Sequence, residues 1–234
     1  MGLIRNAARA VPGLHWAYRK AYNLSLRLKS PEDVFTDIYR NNRWYGTDSV
    51  SGVGSDAMQT RVIVEALPRI FRELGVCSVL DVPCGDFFWM AKVDLAGIDY
   101  LGGDIVADII ERNTAAHGGP GIRFRKVDLI NDKLPKADLI LVRDCLVHLS
   151  YDNIWKALRN IRSSGATYLL TTTFPGRTNV DIPTGRWRPL DLQAAPFHLP
   201  TPLRQINEAC TEATGKFSDK TLALWRVPDI FPGI

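Results

Sequence analysis

The amino-acid sequence predicts an α/β protein: a mostly parallel seven-stranded sheet with helices on both faces and an antiparallel strand pair at the C-terminal end. Three observations lead there. From residue 57 to residue 173, short apolar runs alternate with longer stretches whose apolar residues recur at helical spacing. An aspartate stands at or just after each of the first three runs: Asp81, Asp104 and Asp128. After Phe174 the alternation stops, and six prolines follow before residue 203.

The elements follow in order. Val62, Ile63, Leu67, Ile70, Phe71 and Leu74 recur at helical spacing, with Gly75 as the stop signal and Pro68 expected to bend the helix. A strand from Cys77 to Val82 comes next, then a helix starting near Phe87. The second strand runs from Tyr100 to Gly103 and ends at Asp104, and a helix over 107–116 stops at His117-Gly118-Gly119. The third strand, Ile122 to Val127, ends in Asp128. The fourth, Ala137 to Val142, is nearly all apolar, as a strand buried on both faces requires. Ile154, Leu158 and Ile161 mark a helix ending by Gly165, before a fifth strand from Thr167 to Thr173. Strands joined by helical stretches of this length imply right-handed βαβ units. Leu203–Ile206 and Thr221–Val227 complete the sheet as an antiparallel pair. A proline-rich stretch as long as 174–202 with no helix of its own is expected to be functional.

Composition narrows the classes. At 234 residues and 46% hydrophobic, the chain suits one domain with its own core. Cys77, Cys84, Cys145 and Cys210 are far apart, form no CxxC pair, and with four dispersed histidines offer no metal-ligand spacing. That usage fits a reducing cytoplasm. The net charge of +4 is uneven: residues 1–30 hold Arg5, Arg9, Arg19, Lys20, Arg27 and Lys29 and no acid, whereas the remainder is net acidic. We therefore expect a basic arm over 1–32 and a single domain over 33–234. The arm suits peripheral contact with an anionic membrane, such as the inner membrane face, or with an acidic partner, and equally a solvated extension. Arginines interrupt every apolar run too early for a transmembrane helix. An Arg-rich, acid-free start also matches organelle transit peptides in composition.

In open α/β sheets, ligands sit beyond the carboxyl ends of the strands. Asp104 lies 19 residues past Gly85, near the ~20-residue offset at which an acid meets ribose hydroxyls in dinucleotide folds. The runs Leu80-Asp-Val-Pro-Cys-Gly85, Tyr100-Leu-Gly-Gly-Asp104, Lys126-Val-Asp-Leu129 and Asp138-Leu-Ile-Leu-Val-Arg-Asp144 together resemble a class I S-adenosylmethionine (SAM)-dependent methyltransferase. IYRNNRWYGTDSVSGVGS (38–55), RDCLVHLS (143–150) and TTTFPGRTN (171–179) are similar to small methyltransferases encoded with bacterial surface-polysaccharide genes. That family carries Asp-x-Gly-x-Gly-x-Gly after the first strand, whereas Pro83 and Phe87 stand here at the first and third glycine positions.

The resemblance implies roles for individual residues. Asp81, Pro83, Cys84 and Gly85 would form the turn beside the methionine part of SAM, with Gly85 admitting close backbone approach. Asp104, with Ile105 beside it, would bind the ribose; Asp128 and the backbone of Leu129 would face adenine. Residues 38–56 would form a lid over the cofactor, with Trp44, Ser51, Gly52 and Ser55 in contact; Ser55 or Asp56 could equally cap the helix that follows. Arg143 and Asp144 would line the methyl-transfer end.

A nicotinamide dehydrogenase fits less well. It needs glycines and a helix N-terminus at its pyrophosphate, where this chain places Asp86 and three aromatics; an acid and aromatic faces suit a sulfonium instead. For transfer to a hydroxyl, Asp144 and His148 are the candidate bases, sharing one face if that turn is helical. In the substrate-side loop 174–202, Trp187 between Arg186 and Arg188 could stack on a sugar, or Trp187 could pin the loop to the sheet. The resemblance implies an acceptor that is a sugar or glycan-linked hydroxyl in polysaccharide biosynthesis. A small-molecule or protein acceptor, or a non-catalytic SAM-binding scaffold, is the alternative. No base-methylating motif follows the fourth strand and basic residues line no groove, so a nucleic-acid substrate is not expected.

Overall fold

The computed structural model describes residues 12–230. Helices α1 (Pro12–Arg27) and α2 (Pro31–Arg40) come first. Ser30 caps α2 by accepting from the Asp33 amide, and Pro31 fills the first helical position, where its missing N–H costs nothing. Helix α3 (Ala57–Leu74) runs through Pro68 and stops at Gly75, whose φ of 63° is the left-handed geometry of a helix C-cap. The strands β1 (Ser78–Asp81), β2 (Asp99–Asp104), β3 (Ile122–Lys126), β4 (Leu139–Val142) and β5 (Tyr168–Thr173) are mutually parallel. Helix α4 (Ala107–His117) joins β2 to β3, and α5 (Tyr151–Ser163) joins β4 to β5. The strands β6 (Arg204–Asn207) and β7 (Thr221–Arg226) close the sheet in the order β3-β2-β1-β4-β5-β7-β6, with β7 antiparallel to both neighbours.

Two apolar layers sandwich the sheet. On one face Ile63, Leu67 and Phe71 of α3 pack on Val79, Tyr100, Leu139 and Leu141. On the other, Ile154, Leu158 and Ile161 of α5 pack on Leu80, Ile140, Val142 and Trp225, joined by Leu190, Leu192, Phe197 and Leu199 from the proline-rich stretch. Each fully buried aliphatic side chain contributes about 1.5–3 kcal/mol of burial energy. β4 is buried at every position, as its apolar run requires.

The expected elements are present within a residue or two of their bounds, with one exception. No α-helix starts at Phe87. That residue takes a φ of 59°, incompatible with a right-handed helix. Its ring turns into the core against Tyr100, His117 and Phe124, with centroids 5.1–5.2 Å away. Only a 3₁₀ turn, Met90–Lys92, follows. Packing of a large aromatic has overridden local helix propensity here.

Candidate active site

Beyond the carboxyl ends of β1, β2, β3 and β4 lies a cavity of about 360 Å³. Its floor is built from the loops after those strands. Val82, Pro83, Cys84, Gly85 and Asp86 follow β1; Asp104 and Ile105 end β2; Asp128 and Leu129 follow β3; Arg143, Asp144 and His148 follow β4. Its roof is the lid predicted over 38–56, from which Trp44, Ser51, Gly52 and Ser55 face inward.

Two carboxylates fasten the lid. Asp86 accepts from the hydroxyls of Ser49 and Ser51 and the amide of Val50, while the Asp86 amide donates back to Ser51 Oγ at 2.9 Å. Asp56 occupies the N-cap position of α3, yet its carboxylate turns back to accept from Thr47 Oγ1 and the amides of Asp48 and Ser49. Asp48 in turn accepts from the Ala57 amide, so an acid from outside the helix supplies the cap. Gly85 is required here for two reasons. Its φ is 54°, and a Cβ built on it would stand 2.3 Å from Ser51 Oγ. The space that a side chain would take belongs to the lid.

Asp104 is almost fully buried and accepts from the Val106 amide at 2.9 Å and the Gly85 amide at 3.2 Å. Burial raises its pKa to about 6, against the lowering effect of those amides. Each oxygen keeps a lone pair for a further donor. Asp128 accepts from the Ile130 amide and from Asn131 Nδ2.

Asp81 is the exception among the expected cofactor residues: it does not reach the cavity. It alternates onto the same sheet face as Val79 and accepts from Tyr100 Oη at 2.6 Å. Burial raises its pKa to about 7. The aromatics after it also divide: Phe87 enters the core, Lys92 Nζ stands 3.8 Å from the Phe88 ring centroid, and Trp89 alone lines the cavity.

The end of the cavity beyond β4 is charged. Arg143 donates to Glu208 Oε2 at 2.6 Å and to the Gly54 carbonyl at 2.8 Å, and Lys220 Nζ lies 2.5 Å from Asp144 Oδ2. Lys220 also sits 3.6 Å from Glu208, whose other oxygen, Oε1, has no hydrogen-bond partner among the described residues. Burial works to raise the Asp144 pKa, but Lys220 and Arg143 prevail and hold it at about 2. Burial and Arg143 oppose the charge on Lys220, and Asp144 and Glu208 outweigh them, keeping its pKa above the ordinary lysine value.

His148 behaves differently. It stands on a 3₁₀ turn, Leu146–His148, with Asp144 outside that turn at a φ of 51°, so the two share no helical face. Both still line the cavity. His148 Nδ1 is 3.0 Å from the Arg186 carbonyl, which places the ring proton on Nδ1 and leaves the Nε2 lone pair free. Burial lowers its pKa to about 4, so the ring is neutral at pH 7. The Trp44 indole packs beside it at 4.8 Å.

In the proline-rich loop over 174–202, Trp187 lines the cavity, 4.7 Å from the Phe217 ring and 6.1 Å from Phe174. Its neighbours are committed elsewhere. Arg188 is buried and donates to the carbonyls of Leu146 and Leu149, supporting the turn that carries His148. The Arg186 guanidinium lies over the Tyr22 ring at 5.6 Å. Two guanidiniums flanking an indole in sequence thus do not flank it in space.

Lys220, Glu208, Glu212 and Phe217 were not anticipated. The signal lay in topology: β6 runs parallel to β5, so the β6–β7 connection must return at the carboxyl edge where ligands bind.

No protein-family profile matches the chain, and no curated protein does. Solved structures do. A 1,6-didemethyltoxoflavin-N1-methyltransferase from Burkholderia thailandensis, crystallised with its acceptor and S-adenosylhomocysteine, shares 18% identity over 89% of each chain, at a TM-score of 0.61. The N-methyltransferase NodS from Bradyrhizobium japonicum, with S-adenosylhomocysteine, shares 17% over 80% of this chain and 97% of its own, at 0.59. Human N-acetylserotonin methyltransferase in complex with SAM shares 15% over 85% of this chain, at 0.59; the chain spans 60% of that enzyme's length. The seven-stranded order, the antiparallel C-terminal pair and these likenesses agree: this chain has the Rossmann-like fold of class I SAM-dependent methyltransferases.

Proposed function

We propose that the chain is a SAM-dependent O-methyltransferase whose acceptor is a hydroxyl of a sugar or glycan-linked molecule. The observation that carries the reading is one cavity in which a neutral His148 and the strand-end acid Asp104 face a common space under a fastened lid.

The residues fit the cofactor. A volume of 360 Å³ falls within the roughly 300–1,000 Å³ of small-molecule sites. Asp104 has lone pairs for a ribose diol, Ile105 and Leu129 offer apolar flanks beside Asp128 for adenine, and the turn Pro83-Cys84-Gly85 with Ser51, Gly52, Ser55 and Trp44, which line the same cavity, would enclose the methionine end. SAM would supply an electrophilic methyl group. A dinucleotide fits poorly, because the short 3₁₀ turn after β1 presents no helix N-terminus to a pyrophosphate.

His148 is the base in this reading, and Asp144 is not. Asp144 is locked in an ion pair and holds its charge too firmly to take a proton at neutral pH. A hydroxyl becomes strongly acidic as its oxygen forms a third bond, to the methyl carbon leaving the sulfonium, and takes on oxonium character, so a weak base within reach suffices. The neutral imidazole, oriented through Nδ1, offers Nε2 for that proton. Alignment and exclusion of water by the lid supply the remainder. Trp187 and Phe217 give the acceptor an apolar wall on which a sugar face can stack. The same wall would take a planar aromatic alcohol.

Calorimetry with SAM, S-adenosylhomocysteine and NAD tests the cofactor, and methyl transfer to nucleotide sugars, glycan extracts and phenols assayed side by side tests the acceptor. Binding of both sulfur compounds and transfer to a sugar is the expected result. Binding of NAD alone would overturn the cofactor assignment, and transfer confined to phenols would overturn the glycan acceptor.

A further inference from the structure

The face of α1 turned away from the domain carries a mixed stripe. Trp16, Lys20 and Leu24 follow at four-residue intervals and so share one side of the helix, and Arg27 continues it. Trp16 is 64% exposed, Leu24 59%, and Leu28, just beyond the helix, 81%. Lys20 Nζ lies 5.0 Å from the Trp16 ring centroid, so charge and indole form one unit. The opposite side is anchored: Leu26 is buried against Val34 and Ile38, with Tyr22 beside them. The helix is therefore fixed to the domain by one side while large apolar and basic side chains face outward on the other.

We propose that this face docks on an anionic lipid bilayer. Charge complementarity selects that occupant. Residues 1–30 carry six basic residues and no acid, and the first acids that follow, though exposed, are paired within the protein. Glu32 pairs with Lys126 at 2.6 Å, and Asp33 accepts from Ser30. A tryptophan and leucines among basic residues on an amphipathic helix match the composition of helices that lie in the headgroup plane. The alternation of charged and apolar groups along one stripe suits a membrane interface better than a dry protein contact, where lysine is depleted. Docking would also place the cavity close to the bilayer. Phe35 and Trp44, which line the cavity, pack against the same cluster that anchors α1. An acceptor carried on a lipid would then meet the site without leaving the membrane; that last step rests on the methyltransferase reading, whereas the docking does not.

The test is co-sedimentation of the full chain with vesicles of phosphatidylcholine alone and of phosphatidylcholine mixed equally with phosphatidylglycerol. Two variants keep the fold, since every changed side chain is exposed: Trp16→Ala with Leu24→Ala, and Lys20→Glu with Arg27→Glu. Circular dichroism and melting confirm folding. The wild type should bind the anionic vesicles and lose binding with added salt. The charge-reversed variant should lose at least about fivefold per basic side chain removed, and the apolar variant roughly tenfold. Equal binding of the wild type to both vesicles, or unchanged binding by both variants, would overturn the proposal. So would a wild-type dimer that ignores lipid and that Trp16→Ala with Leu24→Ala dissociates, because the face would then belong to a second copy. Cofactor calorimetry on the same samples reads the methyltransferase assignment separately.

Discussion

Replacing Lys220 with methionine removes a charge from the buried cluster and leaves its volume nearly intact. The Lys220 side chain is 4% exposed, Glu208 is fully buried and Asp144 is 22% exposed, so water screens little of what is lost. Arg143 then faces Asp144 and Glu208 alone, and Asp144 loses its 2.5 Å partner for one at 3.4 Å. Breaking a buried pair from one side costs about 3–5 kcal/mol. For a chain of this size each kcal/mol moves the melting temperature by about 2–4 °C, so a fall of roughly 6–20 °C is expected at pH 7. The loss has a pH signature. Asp144 has its pKa depressed to about 2, so its stabilising contribution is present above the ordinary aspartate value near 3.9 and disappears as pH falls through 2. The melting curves of the two proteins should therefore converge between pH 4 and pH 2. Scanning fluorimetry across pH 2–8 reads both quantities. A Lys220→Met protein that melts within 2 °C of wild type at pH 7, with a parallel acid limb, would refute the view that this cluster is a coupled structural unit.

Further outcomes follow from the same geometry. His148→Gln should lower kcat by roughly 10²–10⁴ with little change in SAM affinity, and the acid limb that this substitution removes from the kcat profile should lie near pH 4; a limb near 6.5 that vanishes with His148→Gln would contradict the assignment, whereas one near 6 that survives it belongs to Asp104. Gly85→Ala should cost about 1–2 kcal/mol for its left-handed backbone and weaken SAM binding by displacing Ser51, and Ser51→Gly in the same protein should restore much of the binding by calorimetry. Asp81 has a raised pKa, so burying it costs nothing extra below about pH 4, and the cost grows as pH rises to 7 and then levels off; Asp81→Asn should gain melting temperature relative to wild type between pH 4 and pH 7, and a constant difference over that range would show that Asp81 does not titrate there. Arg188→Met should destabilise the chain and lower kcat through the His148 turn while leaving acceptor KM unchanged; a rise in KM alone would return Arg188 to the substrate.

Much of this architecture was legible because burial imposes periodicity. The all-apolar β4 and the spaced apolar positions of α3 and α5 announced themselves, and three aspartates at successive strand ends marked the ligand edge. What stayed hidden depends on direction rather than composition. Asp81 occupies the expected position but points to the Tyr100 side of the sheet, and a one-residue alternation separates a ligand from a core group. Phe87 traded a helix start for a place among three rings. Arg186 and Arg188 flank Trp187 in the chain, but one lies over the Tyr22 ring and the other is held by the carbonyls of Leu146 and Leu149, partners far away in sequence. Lys220 and Glu208 come to the site through a long connection whose position only the strand order reveals.

The fastening of the lid has a kinetic consequence. Asp86 holds residues 49–51 and Asp56 holds residues 47–49, so the same short strap is tied from two directions. Freeing one tie leaves Ser49 held by the other, since it donates to Asp86 through its hydroxyl and to Asp56 through its amide. A small molecule bound beneath the strap would then exchange more slowly in the wild type than in Asp86→Ala, which loses the ties to residues 49–51. In the methyltransferase reading this strap predicts an ordered cycle, with the cofactor first in and its spent form last out, which product-inhibition kinetics would read.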